Sequence, residues 1–148
     1  MLAGLLTLAA CSFGKDVGAT QEAVGAFHQA YNAGNIGKIY DDSSEAMKSN
    51  TTAADLARVF DTLHRKLGAY KSSNSVGWNE NMNTNGTVVT VDYAGTYERG
   101  KTEERFQFLI VNGKPKLLNF NINSPALLEK DPAPDNEAMP APGANQSE

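Results

Sequence analysis

The chain has 148 residues, the size of one domain able to bury its own core. Its formal net charge of −4 argues against nucleic acid as a partner, since phosphate binding needs clustered Lys and Arg, and it gives no pull toward anionic lipid. With one cysteine, Cys11, and two histidines, His28 and His64, it has no internal disulfide, no cysteine-based zinc site and no conventional metal set, and no motif implies a cofactor.

Residues 1 to 10 are uncharged and almost wholly apolar. They have the length of a signal-peptide core and fall short of the roughly 18 residues that a spanning helix needs. Leu8-Ala9-Ala10-Cys11 resembles the lipobox of bacterial lipoproteins. There, small residues let a signal peptidase grip the extended backbone, and the thiol takes the lipid. The resemblance implies that Cys11 becomes the acylated mature N-terminus, with the bilayer as its partner. Ser12 is similar to the second residue of lipoproteins sent to the outer membrane, which implies an outer-membrane anchor facing the periplasm. The Lys/Arg region that precedes such a core is missing, which points to a start upstream of Met1. Gly14, Asp16 and Gly18 read as a helix break. Residues 11 to 19 are therefore expected to be a lipidated tether ahead of a domain over 20 to 128.

The first helix is expected from Thr20, as N-cap, to Ala33, with Val24, Phe27, Ala30 and Tyr31 on one face and Gly34 as its stop. Asn35 caps a short second helix carrying Ile36, Ile39 and Tyr40, and Ala46-Met47 starts another turn. Thr51 or Thr52 with Asp55 forms a capping box for a helix carrying Leu56, Val59, Phe60, Leu63 and Leu67, which Gly68 ends.

Four strands follow. Tyr70 to Met82 is the weakest, rich in Ser and Asn. A turn at Asn85-Gly86 sets Met82 against Val89, Trp78 against Tyr93 and Val76 against Gly95. A turn at Arg99-Gly100 sets Tyr93 against Phe106, Val91 against Phe108 and Val89 against Ile110. At Asn112-Gly113 a two-residue loop sets Phe106 against Asn119. A three-residue loop through Lys114 sets Phe106 against Phe120 and Phe108 against Leu118, and is preferred because it keeps the aromatic stripe whole. Residues 129 to 148 form an acidic, proline-rich tail expected to be disordered.

Helices followed by a meander of long strands is the order of the nuclear transport factor 2-like fold. Ala26-Phe27-His28-Gln29-Ala30-Tyr31 with Gly34-Asn35-Ile36 resembles its opening helix and turn. Leu67-Gly68-Ala69-Tyr70 resembles its passage into the first long strand, and Val88 to Asn121 its closing meander. The resemblance covers about residues 20 to 124 and implies an α+β cone, with N-terminal helices packed on a curved, mainly antiparallel four-stranded sheet. Within that superfamily the chain is most similar to small bacterial lipoproteins of undefined function. Relatives in the superfamily include isomerases, dehydratases, ligand binders and proteins that dimerise through the exposed sheet face, so the fold does not choose among them.

Glu80 and Glu104 fall on the apolar face, where a carboxylate gains a raised pKa and serves as a general base. His28 is the candidate acid partner, and Tyr93 or Tyr97 the group that polarises a carbonyl. The bland alternative places both carboxylates at strand ends in solvent. Tyr31, Trp78, Tyr93, Phe106, Phe108 and Phe120 line a ligand pocket if the cone is open; aromatics at strand spacing more commonly build core. The outer sheet face, with Val88, Thr90, Leu109, Val111 and Leu117, is a candidate surface for a homodimer or a protein partner. The leading expectation is a non-catalytic, lipid-anchored interaction domain. A small apolar-ligand binder, and an isomerase- or hydrolase-like enzyme using a cone carboxylate, stand beside it.

Overall fold

The computed structural model describes residues 14–131. The apolar leader, Cys11 and the tail beyond Asp131 lie outside the described residues. The elements run α1 (Lys15–Asn32), α2 (Ile36–Asp41), α3 (Glu45–Asn50), α4 (Ala53–Leu67), then β1 (Tyr70–Asn83), β2 (Gly86–Tyr97), β3 (Gly100–Val111) and β4 (Lys114–Asn123). A short 3-10 turn, Pro125–Leu127, closes the described chain. The strands form one open antiparallel sheet in sequential order, and the helices cover one face of it. The architecture is the expected α+β cone-like one. No helix among the described residues is long and apolar enough to cross a membrane.

Local signals account for most helix ends. The Asn35 side chain accepts from the Lys38 N–H, and Ser44 caps α3. Thr52 and Asp55 form the reciprocal capping box at α4. Gly34, at φ 65°, and Asn35 turn back onto the last carbonyls of α1. The start of α1 departs from expectation. It begins at Lys15 behind Gly14, which supplies no side-chain cap, and runs straight through Gly18. Val17 and Thr20 are buried, so packing of this first stretch outweighs the propensity of Gly18. Thr20 is therefore no cap, and α1 starts five residues before the expected Thr20.

Two of the three turns sit one residue earlier than expected. Asn83 pairs with Gly86 around Thr84-Asn85, where the Asn83 side chain accepts from the Asn85 N–H. Tyr97 pairs with Gly100 around Glu98-Arg99. The glycines thus open the following strands, and each register moves by two residues. Met82 faces Thr87, Trp78 faces Val91, and Val76 is the extra residue of a bulge between Ser75 and Gly77. Across the next pair, Tyr93 meets Glu104, Val91 meets Phe106 and Val89 meets Phe108. A shift of two keeps residues on their expected faces, because side chains alternate with period two, but the β1 bulge takes Val76 away from its expected inward place opposite Gly95. At the third turn Asn112 and Gly113 both take positive φ, 50° and 72°, as a two-residue type I′ hairpin requires. A bulge between Gln107 and Phe108 then restores Phe106 opposite Phe120. It also turns Leu117, expected outside, into the buried core partner of Phe108.

Phe27 of α1 is the hub of the interior. Its ring lies 4.9 Å from Phe106, 5.3 Å from Phe120 and 5.6 Å from Phe60 of α4. The link between α2 and α3 is fastened to the start of β4: Ser44 N–H donates to the Leu117 carbonyl and Leu117 N–H to that of Asp42. At the opposite end of the sheet, the β2–β3 turn docks on the end of α4. The Arg99 guanidinium donates to the carbonyls of His64 and Arg65, and Glu98 accepts from the Ala69 N–H.

Gly68 makes that docking possible. It has φ 72°, and a Cβ there would sit 2.3 Å from a Glu98 carboxyl oxygen and 2.9 Å from Glu98 Cβ. Gly68→Ala is expected to lower stability by about 1–3 kcal/mol, read as a fall in urea midpoint. Gly25→Ala, on the open face of α1 with nothing near its Cβ, is the control and should raise stability by about 0.5–1 kcal/mol.

Candidate functional site

The structure brings three of the sequence-selected polar residues together. His28 lies on the buried face of α1, Glu104 near the start of β3 and Tyr97 at the end of β2. All three are at most 3% exposed. The Tyr97 hydroxyl donates to Glu104 Oε1 at 2.6 Å, and His28 Nε2 lies 3.1 Å from Oε2 and 3.3 Å from Oε1. The His28 ring stacks on Tyr70 of β1 at 3.8 Å between centroids. Gly95 supplies the space: a Cβ there would come within 2.3 Å of Thr102 Oγ1 and 3.1 Å of the Glu104 carboxyl carbon. Glu104 is thus not the solvated strand-end carboxylate of the bland expectation. Its oxygens are occupied by Tyr97 and His28.

Burial pushes the Tyr97 hydroxyl far above its ordinary value of 10, with the adjacent Glu104 carboxyl and its hydrogen bond adding to the effect. Tyr31, whose hydroxyl donates to the Gly68 carbonyl at 2.8 Å, is also raised well above 10. Burial dominates there, Arg99 opposes it, and Glu104 and Glu98 reinforce it. The ring of Tyr31 stacks on His64, whose Nε2 lies 3.0 Å from the Tyr31 carbonyl oxygen. Tyr93 is raised too, first by burial and then by Tyr70 and Glu104.

Glu80 stands apart. It faces Val89, whereas Glu104 faces Tyr93, about 13 Å further along β2. The two carboxylates do not form an acid–base pair. Glu80 is partly covered, and its Oε2 has no hydrogen-bond partner. The six aromatics divide likewise. Tyr31, Phe106 and Phe108 are buried core; Phe120 packs beside Phe27 and Phe60; Tyr93 meets the edge of Phe106; and Trp78 is 49% exposed on β1. They do not line one common cavity.

An apolar cleft lies elsewhere, at the end of the molecule where α1 begins. It has a volume of about 480 Å³ between α1, α2 and the β3–β4 hairpin. Phe27, Ile39, Phe108 and Leu117 form its floor, and Ala19, Ala23, Ala26 and Ala30 leave room along α1. The Lys38–Asp42 pair, 2.6 Å apart, stands at its rim. Sequence patterning missed this site because alanines on a helix read as packing, and because the bulge that turns Leu117 inward has no local signature.

A family defined as a protein of unknown function, DUF3887, matches residues 25–120. The chain belongs to that family. The matched stretch includes His28, Tyr97, Glu104 and most of the cleft floor. No curated protein matches the chain. Within this DUF3887 domain the described residues hold no group of three or more His, Cys, Asp or Glu placed to bind a metal. Its buried polar cluster is arranged as a clamp: one carboxyl group on the sheet holds a hydroxyl from the next strand and an imidazole from the covering helix.

Two variants test the clamp. Glu104→Ala leaves a buried phenol and imidazole unpaired and is expected to cost about 3 kcal/mol or more in denaturant unfolding; Tyr97→Phe should cost about 1.5–3 kcal/mol. Tyr97 also predicts an alkaline limit. Its folded pKa lies above the unfolded value of 10, so above pH 10 the unfolded chain releases a proton that the folded chain keeps. Its stabilising contribution is complete below pH 10 and is lost as pH rises beyond it. Unfolding midpoints should fall above pH 10, and less steeply in Tyr97→Phe.

Proposed function

We propose that this DUF3887 domain is a membrane-tethered, non-catalytic binding domain whose small-ligand site is the apolar cleft between α1, α2 and the β3–β4 hairpin. The cleft itself carries this reading. It is concave, of a size that seats a small molecule, and floored by aliphatic and aromatic side chains, with Glu22, Lys38, Asp42, Lys114 and Lys116 also in its lining. Three residues, Ser12 to Gly14, separate Cys11 from α1, so an acylated Cys11 would hold this end of the domain close to the bilayer. The lipobox-like sequence and Ser12 support an outer-membrane anchor facing the periplasm. The order of helices and strands supports membership of the nuclear transport factor 2-like superfamily.

The enzymatic reading is weaker on physical grounds. A general base must reach a substrate proton, and Glu104 and His28 are enclosed and engaged with each other.

The test is titration of the full chain with N-phenyl-1-naphthylamine, a neutral apolar fluorophore. Saturable enhancement with one site per chain is expected. Ala26→Trp, an exposed helix position on the cleft wall, should weaken it at least about tenfold with an unchanged unfolding midpoint. Equal binding by the variant, or no saturable binding, would remove the cleft from consideration. For the anchor, Cys11→Ala should move the protein from the membrane to the soluble fraction.

A further inference from the structure

The outer sheet face, away from the helices, carries an unusual residue choice. Strands β1 and β4 contain seven asparagines: Asn74, Asn79, Asn81 and Asn83 on β1, and Asn119, Asn121 and Asn123 on β4. Their partners across the sheet show that all seven project outward. Asn79 pairs with Thr90 and Asn81 with Val88, while Asn119, Asn121 and Asn123 pair with Gln107, Arg105 and Glu103. Asn74 pairs with Ala94, and Asn83 with Gly86. All seven are exposed. Asparagine is disfavoured in strands, so its repeated use on one face, and on neither strand's inner face, is not explained by folding.

Five of these amides, those of Asn74, Asn79, Asn81, Asn121 and Asn123, make no hydrogen bond to any described residue. From Asn79 to Asn83 and from Asn119 to Asn123 the amides recur about every 7 Å, and β2 and β3 hold the two rows about 14 Å apart. Between the rows lies a shallow outer cleft of about 640 Å³. It is lined by Val76, Ala94, Glu103, Asn121 and Asn123, with an ion pair in it, Asp92 to Arg105 at 2.7 Å. That pair neutralises two of the charges, and the exposed Glu103 carboxylate leaves the trough mildly acidic.

We propose that this face binds a neutral, polyhydroxylated linear chain, an oligosaccharide. Each free amide offers two donors and a two-lone-pair acceptor, the complement of sugar hydroxyls and acetamido groups. An anionic polymer would be repelled here, because Glu103 leaves the trough with a net negative charge beside the Asp92–Arg105 pair. A protein partner would require a broad apolar or aromatic centre, and the apolar and aromatic residues in this part of the face are Val76, Ala94 and Tyr93. The proposal does not depend on the apolar cleft, which lies on the helix-covered side.

The experiment is a titration of the full, isotope-labelled chain with chitotetraose, and separately with maltotetraose, followed through the side-chain amide resonances. Saturable shifts of the outward asparagine signals with either sugar are expected, while signals of residues lining the apolar cleft stay in place. Asn121→Ala/Asn123→Ala, both exposed, should weaken binding about tenfold with an unchanged unfolding midpoint. Silence of the asparagine signals with both sugars, or an unaltered affinity in the double variant, would overturn the proposal. So would concentration-dependent shifts of the same signals without sugar, which would give this face to a second copy of the chain.

Discussion

The contact on which the fold depends is the one between Glu104 and its two partners. A carboxyl group at 2% exposure is costly to bury unless its oxygens are hydrogen-bonded. Here Tyr97 meets that requirement from the neighbouring strand and His28 from the helix laid across the sheet. The same contacts that make the carboxyl tolerable also fix where α1 sits. Apolar packing through Phe27 alone would permit α1 to slide or rotate by small amounts, since dispersion contacts are numerous and non-directional. A hydrogen bond to a buried group permits one arrangement, because the displaced alternatives leave unpaired polar atoms. Gly95 belongs to the device, since any side chain at that position would occupy the space of the Thr102 hydroxyl and the Glu104 carboxyl.

Much of this was legible in the sequence. Helix stops at Gly34 and Gly68, caps at Asn35 and Thr52, and the facing of the strands follow from local chemistry that tertiary context did not override. Glu104 on the apolar face was legible from alternation, and His28 was only a candidate acid partner for it. Their mutual closure was not, because it depends on a through-space match between α1 and β3 that no spacing rule encodes. The turns show the limit in another form. Asn85-Gly86 and Arg99-Gly100 read as two-residue loops, yet the glycines serve as first strand residues, where Gly86 takes φ 120°. The error is even-numbered and harmless to facing. The bulge before Phe108 is odd-numbered, and there alternation failed: Leu117 moved from the surface to the core.

The start of α1 illustrates the competition between propensity and burial. Gly18 is a poor helix-interior residue, costing about 1 kcal/mol relative to Ala. Burial of Val17 together with the rest of the helix offsets that cost. The consequence reaches beyond the helix. With Cys11 acylated as proposed, only Ser12 to Gly14 would separate the anchor from α1, and the domain would have little reach.

Where chemistry is possible in this molecule follows from what its interior has already used. The inner face of the sheet is largely covered by α1 and α4, and its buried carboxyl group, Glu104, is engaged by His28 and Tyr97. What is left consists of the margins of the cone and the face that no helix covers. On the margin, small alanines on α1 leave apolar surface that the β3–β4 hairpin does not fill. On the open face, the fold needs only residues that alternate, tolerate solvent and discourage edge pairing, and Thr, Lys or Glu meets those needs better than Asn. The two outer strands nevertheless place seven asparagines there, the residue choice that the proposed oligosaccharide site would use, since an amide holds a hydrogen-bonding partner without charge.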